Sequence, residues 1–150
     1  MVNKIITGIS QTLDAEFNTG DTVYSIYSES IEQGFDEPCF SILNLTANEK
    51  QLMGNRYSFT SSFDIQYFPS NEPIDGVIYN NKECYDVAIR LMDILRSITV
   101  NSKFVRGTKI NHEVINDVLH FFVNYDFITK RETIDNTEKM QTLTNNTTLS

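Results

Sequence analysis

The stretch from Lys103 to Lys130 constrains the fold more than any other part of the chain. Two runs of alternating apolar and polar residues flank Asn116-Asp117, a pair that tolerates the positive φ of a two-residue hairpin loop. Pairing Ile115 with Val118 sets Val114 against Leu119, His112 against Phe121, Ile110 against Val123 and Thr108 against Tyr125. Both strands then place their apolar side chains on one face. The other face carries Lys109, Asn111, Glu113, His120, Asn124 and Asp126, with Phe122 as the exception. A slip of one residue would destroy this agreement, so the register is an expectation that a structure can test.

The remaining elements supply partners for such a sheet. Val2, Ile5, Ile6, Ile9, Leu13 and Phe17 recur at helical spacing, which predicts an amphipathic helix over 2–17. Thr22–Ser28 and Pro38–Thr46 read as strands through their β-branched and aromatic residues. Arg56–Phe68 alternates most clearly, with Tyr57, Phe59, Phe63, Ile65 and Tyr67 on one face and Asp64 among polar residues on the other. Asn80, followed by Glu83, suggests a capping box opening a second helix that runs to about Ser97, with the stripe Cys84, Val87, Ala88, Leu91, Leu95 and Ile98. The expected order is α-β-β-β-α-β-β, an α+β domain over 1–130 with both helices on one face of a mostly antiparallel sheet. Residues 131–150 have six Thr, no aromatic residue and no periodicity, and read as a polar, solvated tail.

Composition narrows the function classes. Twelve Lys plus Arg against twenty Asp plus Glu give a net charge of −8, the wrong sign for general binding to phosphates. No run of residues has the length and apolarity of a membrane span, and the N-terminus lacks the continuous apolar core of a signal peptide. A cytosolic site of synthesis is the expectation, with Cys39 and Cys84 as buried, reduced thiols. No P-loop, dinucleotide fingerprint, zinc-protease helix or calcium loop is present. His112 and His120 project to opposite faces of the hairpin, which separates them as metal ligands. His120 reads as a cross-strand partner of Glu113, and Asp64 as part of a solvated face. No enzyme, cofactor or metal site is therefore expected.

The surface is the unusual part. The segment Ala47–Asn55 reads as a loop with Leu52 and Met53 at its tip, and Phe40, Phe68 and Phe122 fall on the polar side of their strands. Charge is segregated as well. Glu29, Glu32, Asp36 and Glu37 form an acidic stretch without a base, whereas Arg90, Arg96, Lys103, Arg106 and Lys109 stand against Asp93 alone. These features describe a subunit that makes interfaces. We expect the acidic stretch of one copy to lie against Arg90, Arg96, Lys103 or Arg106 of the next, and the tip at Leu52 and Met53 to touch another subunit.

Three stretches carry a family resemblance: Glu37-Pro38-Cys39-Phe40, Gly54-Asn55-Arg56-Tyr57, and the run from Arg106 to Tyr125. Behind an N-terminal amphipathic helix and before a polar tail, they resemble the tail terminators of phages and phage-derived elements of Firmicutes, similar in fold to the lambda-type terminators. The resemblance implies a structural, non-enzymatic subunit of a virion or phage tail-like particle, assembled in the bacterial host cytoplasm. It implies a homohexameric ring on the last ring of tail tube protein, at the head-proximal end. Its further partners would be neck or head-completion proteins and, in a contractile tail, the sheath. DNA would pass through its lumen without sequence-specific binding, which suits the net charge of −8. Two other readings of the same residues are a different head–tail joining or tail-completion protein and a small acidic ligand-binding domain.

Overall fold

A computed structural model describes residues 1–28 and 36–130. Eight elements follow one another: α1 (Val2–Phe17), β1 (Ser25–Tyr27), β2 (Cys39–Gln51), β3 (Arg56–Phe68), α2 (Asn80–Ile94), β4 (Ser97–Val100), β5 (Lys103–Ile115) and β6 (Val118–Lys130). The six strands form one sheet in the order β1-β2-β3-β6-β5-β4, antiparallel except where β1 runs parallel to β2. The α+β class and the two-helix, mostly antiparallel arrangement match the expectation.

One face of this sheet carries the core. Phe59, Phe63, Ile65 and Tyr67 of β3 meet Leu119, Phe121, Val123 and Tyr125 of β6. Ile5, Ile9 and Leu13 from α1 and Cys84, Val87, Ala88 and Leu91 from α2 close over them. Phe40 belongs to this same core, fully buried with its ring 4.8 Å from Phe17 and 4.9 Å from Tyr67, contrary to its expected place on the polar side. Its partner across the ladder is Tyr67, and cross-strand partners share a face. Asn18 fastens the return from α1 to β1 by accepting from the Tyr24 N–H at 2.6 Å and donating to the Tyr24 carbonyl at 3.0 Å.

Four further details differ from the sequence reading. The second helix stops at Ile94, and Ile98 lies in β4, a strand the helical stripe had concealed. The chain turns there because Tyr125 Oη donates to the Leu95 carbonyl at 2.8 Å and the Gly107 N–H donates to the Arg96 carbonyl at 2.7 Å. Asn80 is helical rather than a cap, and Glu83 is used elsewhere. Its carboxylate accepts from Tyr67 Oη (2.6 Å), the Ser70 N–H (2.9 Å) and Ser70 Oγ (2.9 Å), which ties α2 to the end of β3. β2 extends to Gln51, so the expected loop shrinks to residues 52–55.

The fourth difference is in the hairpin. Asn116 and Asp117 form the turn with φ of 52° and 63°, and the expected pairs hold from Ile115/Val118 to His112/Phe121. Beyond them a bulge at Lys109, with φ of 51°, sets Thr108 against Asn124 and Gly107 against Tyr125. One extra residue on β5 shifts every later pair by one.

Candidate functional site

The strand register divides the molecule into two ends. At one end Arg56 faces Lys130, beside the 52–55 turn and the β4–β5 turn; at the other Tyr67 faces Leu119, beside the 69–79 loop and the Asn116-Asp117 turn. The two ends differ in charge.

At the first end β5 parts from β6. Lys103–Arg106 pairs with β4, and β6 pairs with β5 only as far as Tyr125. The divergence leaves a groove of about 610 Å³ lined by Arg56, Lys103, Phe104, Ile128, Lys130 and Met1 among others, with no carboxylate in its lining. Phe104 is 86% exposed and Ile128 57% exposed. Arg56, Lys103 and Lys130 are exposed, and none makes an ion pair among the described residues. Met53, on the adjacent turn, is 87% exposed, whereas Leu52 is half-buried with its N–H donating to the Arg56 carbonyl at 2.8 Å.

At the opposite end Asp36, Glu37, Glu72, Asp75 and Asp117 are exposed, and no Lys or Arg occurs in the 69–79 loop. Hydrogen bonds hold this acidic surface together: Asn71 Nδ2 donates to Glu37 Oε2 at 2.9 Å, and Asn80 Nδ2 donates to Asn71 Oδ1 at 2.6 Å. Ile74, Val77, Ile78 and Tyr79 lie exposed among these carboxylates. Each end thus combines large apolar side chains with a predominance of one charge, Lys82, paired with Asp86, being the base beside the acidic surface, and this is the pattern of a surface that another protein covers.

The residues singled out in the sequence are scattered over these surfaces. Lys103 lines the groove, and Asp36 and Glu37 belong to the acidic end. Glu29 and Glu32 lie outside the described residues. Arg90 is held inside its own subunit, its Nε 3.0 Å from Glu16 Oε2, its Nη2 donating to the Glu16 carbonyl at 3.1 Å and its guanidinium 4.0 Å above the Phe17 ring. Neither it nor Arg96 lies in the last turn of α2, where a base would complement the helix dipole. Arg96 stands 4.0 Å from Asp93 on an exposed surface, and Arg106 is exposed opposite Ser97. Arg56, Phe104, Ile128 and Lys130 were missed. Ile128 falls on the polar side of an alternating run, and that break in pattern was the available signal; Phe104 shares the parity of Ile110 and Val114, and only the bulge at Lys109 turns it to the exposed face.

The most chemically suggestive pair lies elsewhere. Asp64 is 5% exposed, and its Oδ2 is 3.0 Å from His120 Nδ1 and accepts from Gln66 Nε2 at 3.1 Å, while Oδ1 is buried without a partner. His120 also stacks on Phe122. The expected solvated Asp64 is thus corrected: its partner is His120, because β6 runs directly beside β3 and places them diagonally across the ladder. The pair stitches the two strands together on the helix-free face. No group of three or more His, Cys, Asp or Glu among the described residues could hold a metal ion, and no described helix is long and apolar enough to cross a membrane. Burial pushes the Cys39 and Cys84 thiols up to about 11, with Glu37 and Glu83 respectively adding to the shift, so both stay protonated at neutral pH.

A family model described as phage tail terminator protein matches residues 4–138. The chain belongs to the phage tail terminator family. Both ends of the sheet fall within the matched region, which also runs past Lys130. Comparison with curated proteins gives no match. Phage tail terminators are structural proteins that work in contact with other tail proteins.

Proposed function

We propose that this chain assembles as a ring, a homohexamer, on the head-proximal end of the tail tube, stops tube growth there and presents a docking surface to neck or head-completion proteins. The observation that carries the reading is the family match over residues 4–138. The geometry supports it, because a ring requires two different patches on each subunit, one meeting the other on its neighbour, and the two ends of the sheet are such a pair. A net charge of −8 supports a lumen through which DNA slides without sticking. Subunit contacts in this reading draw on the acidic residues Asp36 and Glu37, with Glu29 and Glu32 beside them in sequence, on the bases Arg96, Lys103 and Arg106, and on the tip at Leu52 and Met53. Arg90 contributes through its hold on α1. Electron microscopy of particles lacking the protein tests the function: tubes of uncontrolled length are expected. Tails of normal, uniform length in its absence would overturn the terminator role and favour another head–tail joining function.

A further inference from the structure

We propose that the groove between β5 and β6 is the docking site for the acidic, apolar end of a second copy of this chain, so that subunits join end to end. The inference deepens the ring reading by naming the two surfaces that meet. Arg56, Lys103 and Lys130 surround Phe104 and Ile128, with no carboxylate in the lining. In a chain of net charge −8, three exposed bases without ion-pair partners among the described residues make a local positive patch that an acidic surface complements. The opposite end supplies both halves of the match: Asp36, Glu37, Glu72 and Asp75 carry the charge, and Ile74, Val77, Ile78 and Tyr79 provide apolar surface. A nucleic acid duplex would satisfy the bases and leave Phe104 and Ile128 in water, so a protein surface fits better.

This contact is heterologous, since one end meets a different end, and it leaves neither patch self-complementary. Several exposed ion pairs at a rim fix register and partner choice, while the buried aromatic and aliphatic groups provide adhesion. Backbone pairing adds a further constraint, because the last residues of β6 beyond Tyr125 have no β5 neighbour on that side.

The test is the mass of the full-length protein in solution at low salt. The wild-type chain should associate, and Arg56→Glu with Lys130→Glu should weaken that association roughly ten-fold or more, as should Phe104→Ser alone. These side chains are exposed, so a cooperative melt of the variants confirms that the monomer stays folded, any fall in melting temperature being no more than lost association accounts for. Glu72→Lys with Asp75→Lys should weaken association likewise. Mixing the two charge-reversed chains should restore it, because each then offers the end that the other lacks. A mixture that remains monomeric, reversed chains that associate normally, or a monomeric wild type would each overturn the docking. So would binding of a DNA duplex that Arg56→Glu abolishes without a change in mass. Fibres in place of closed rings would support the end-to-end contact and overturn the ring.

Discussion

Gly8 shows how a single residue can obey the tertiary structure against its local preference. In the middle of α1 an alanine is ordinarily favoured by about 1 kcal/mol. A Cβ at this position would stand 2.8 Å from the Thr99 carbonyl of β4, and backbone cannot move aside as a side chain tip can. Gly8→Ala is therefore expected to destabilise the protein by roughly 1–3 kcal/mol in urea unfolding, with a gain in stability as the contrary result. The two thiols make a second residue-scale prediction. Each is raised in the folded state from 9.0 to about 11, so between these values the folded chain keeps protons that the unfolded chain releases. Stability must then fall as pH rises from about 9 to about 11, and burial of Tyr67 and Tyr125 adds to the fall at higher pH. Urea melts across this range should show the decline, and Cys39→Val with Cys84→Val should reduce it. At this scale apolar identity was legible in the sequence, whereas partnership was not. Asp64 looked solvated because its own strand alternates, and only the neighbouring strand brings His120 to it. Arg90 looked free because Glu16 is 74 residues away in the chain.

Elements were legible where a local signal set both period and ends. α1 and β3 lie where their periodicity puts them, and the turn at Asn116-Asp117 adopts positive φ at both positions as a two-residue hairpin requires. β4 was hidden because Leu95 and Ile98 continue the spacing of α2, and a helix and a strand agree in pattern over so few residues. What ends the helix is remote: Tyr125 and Gly107 capture the carbonyls of Leu95 and Arg96. A Cβ at Gly107 would approach the Leu95 carbonyl to 2.7 Å, so this corner depends on the absence of a side chain. The β2–β3 hairpin carries its own prediction. From Asn44 to Gln51 β2 is exposed on both faces, and Met53 at the tip is almost fully exposed. Leu52→Ser with Met53→Ser should leave a cooperative melt with about 1 kcal/mol or less lost, while weakening assembly. A melt at a clearly lower temperature would instead place these side chains in the core.

Across the whole molecule the governing feature is polarity along the strands, basic at the Arg56–Lys130 end and acidic at the Asp36–Asp75 end. Salt separates charge-guided assembly from purely apolar assembly. Near 1 M ionic strength the Debye length falls to about 3 Å, so association measured by sedimentation should weaken as salt is raised, whereas apolar contacts alone would strengthen or stay unchanged. The sequence by itself determined the α+β class, the two amphipathic helices, the hairpin register next to its turn and the acidic balance of the chain. Each of these rests on periodicity, turn chemistry or composition, which act between residues close in the chain. Tertiary structure alone decided where β5 leaves β6, which bases line the resulting groove and which stay inside their own subunit. A bulge at Lys109 alters every pair beyond it, and residues 56, 103 and 130 meet only because three strands end together. Such encounters depend on how elements pack, and no spacing along the chain encodes them.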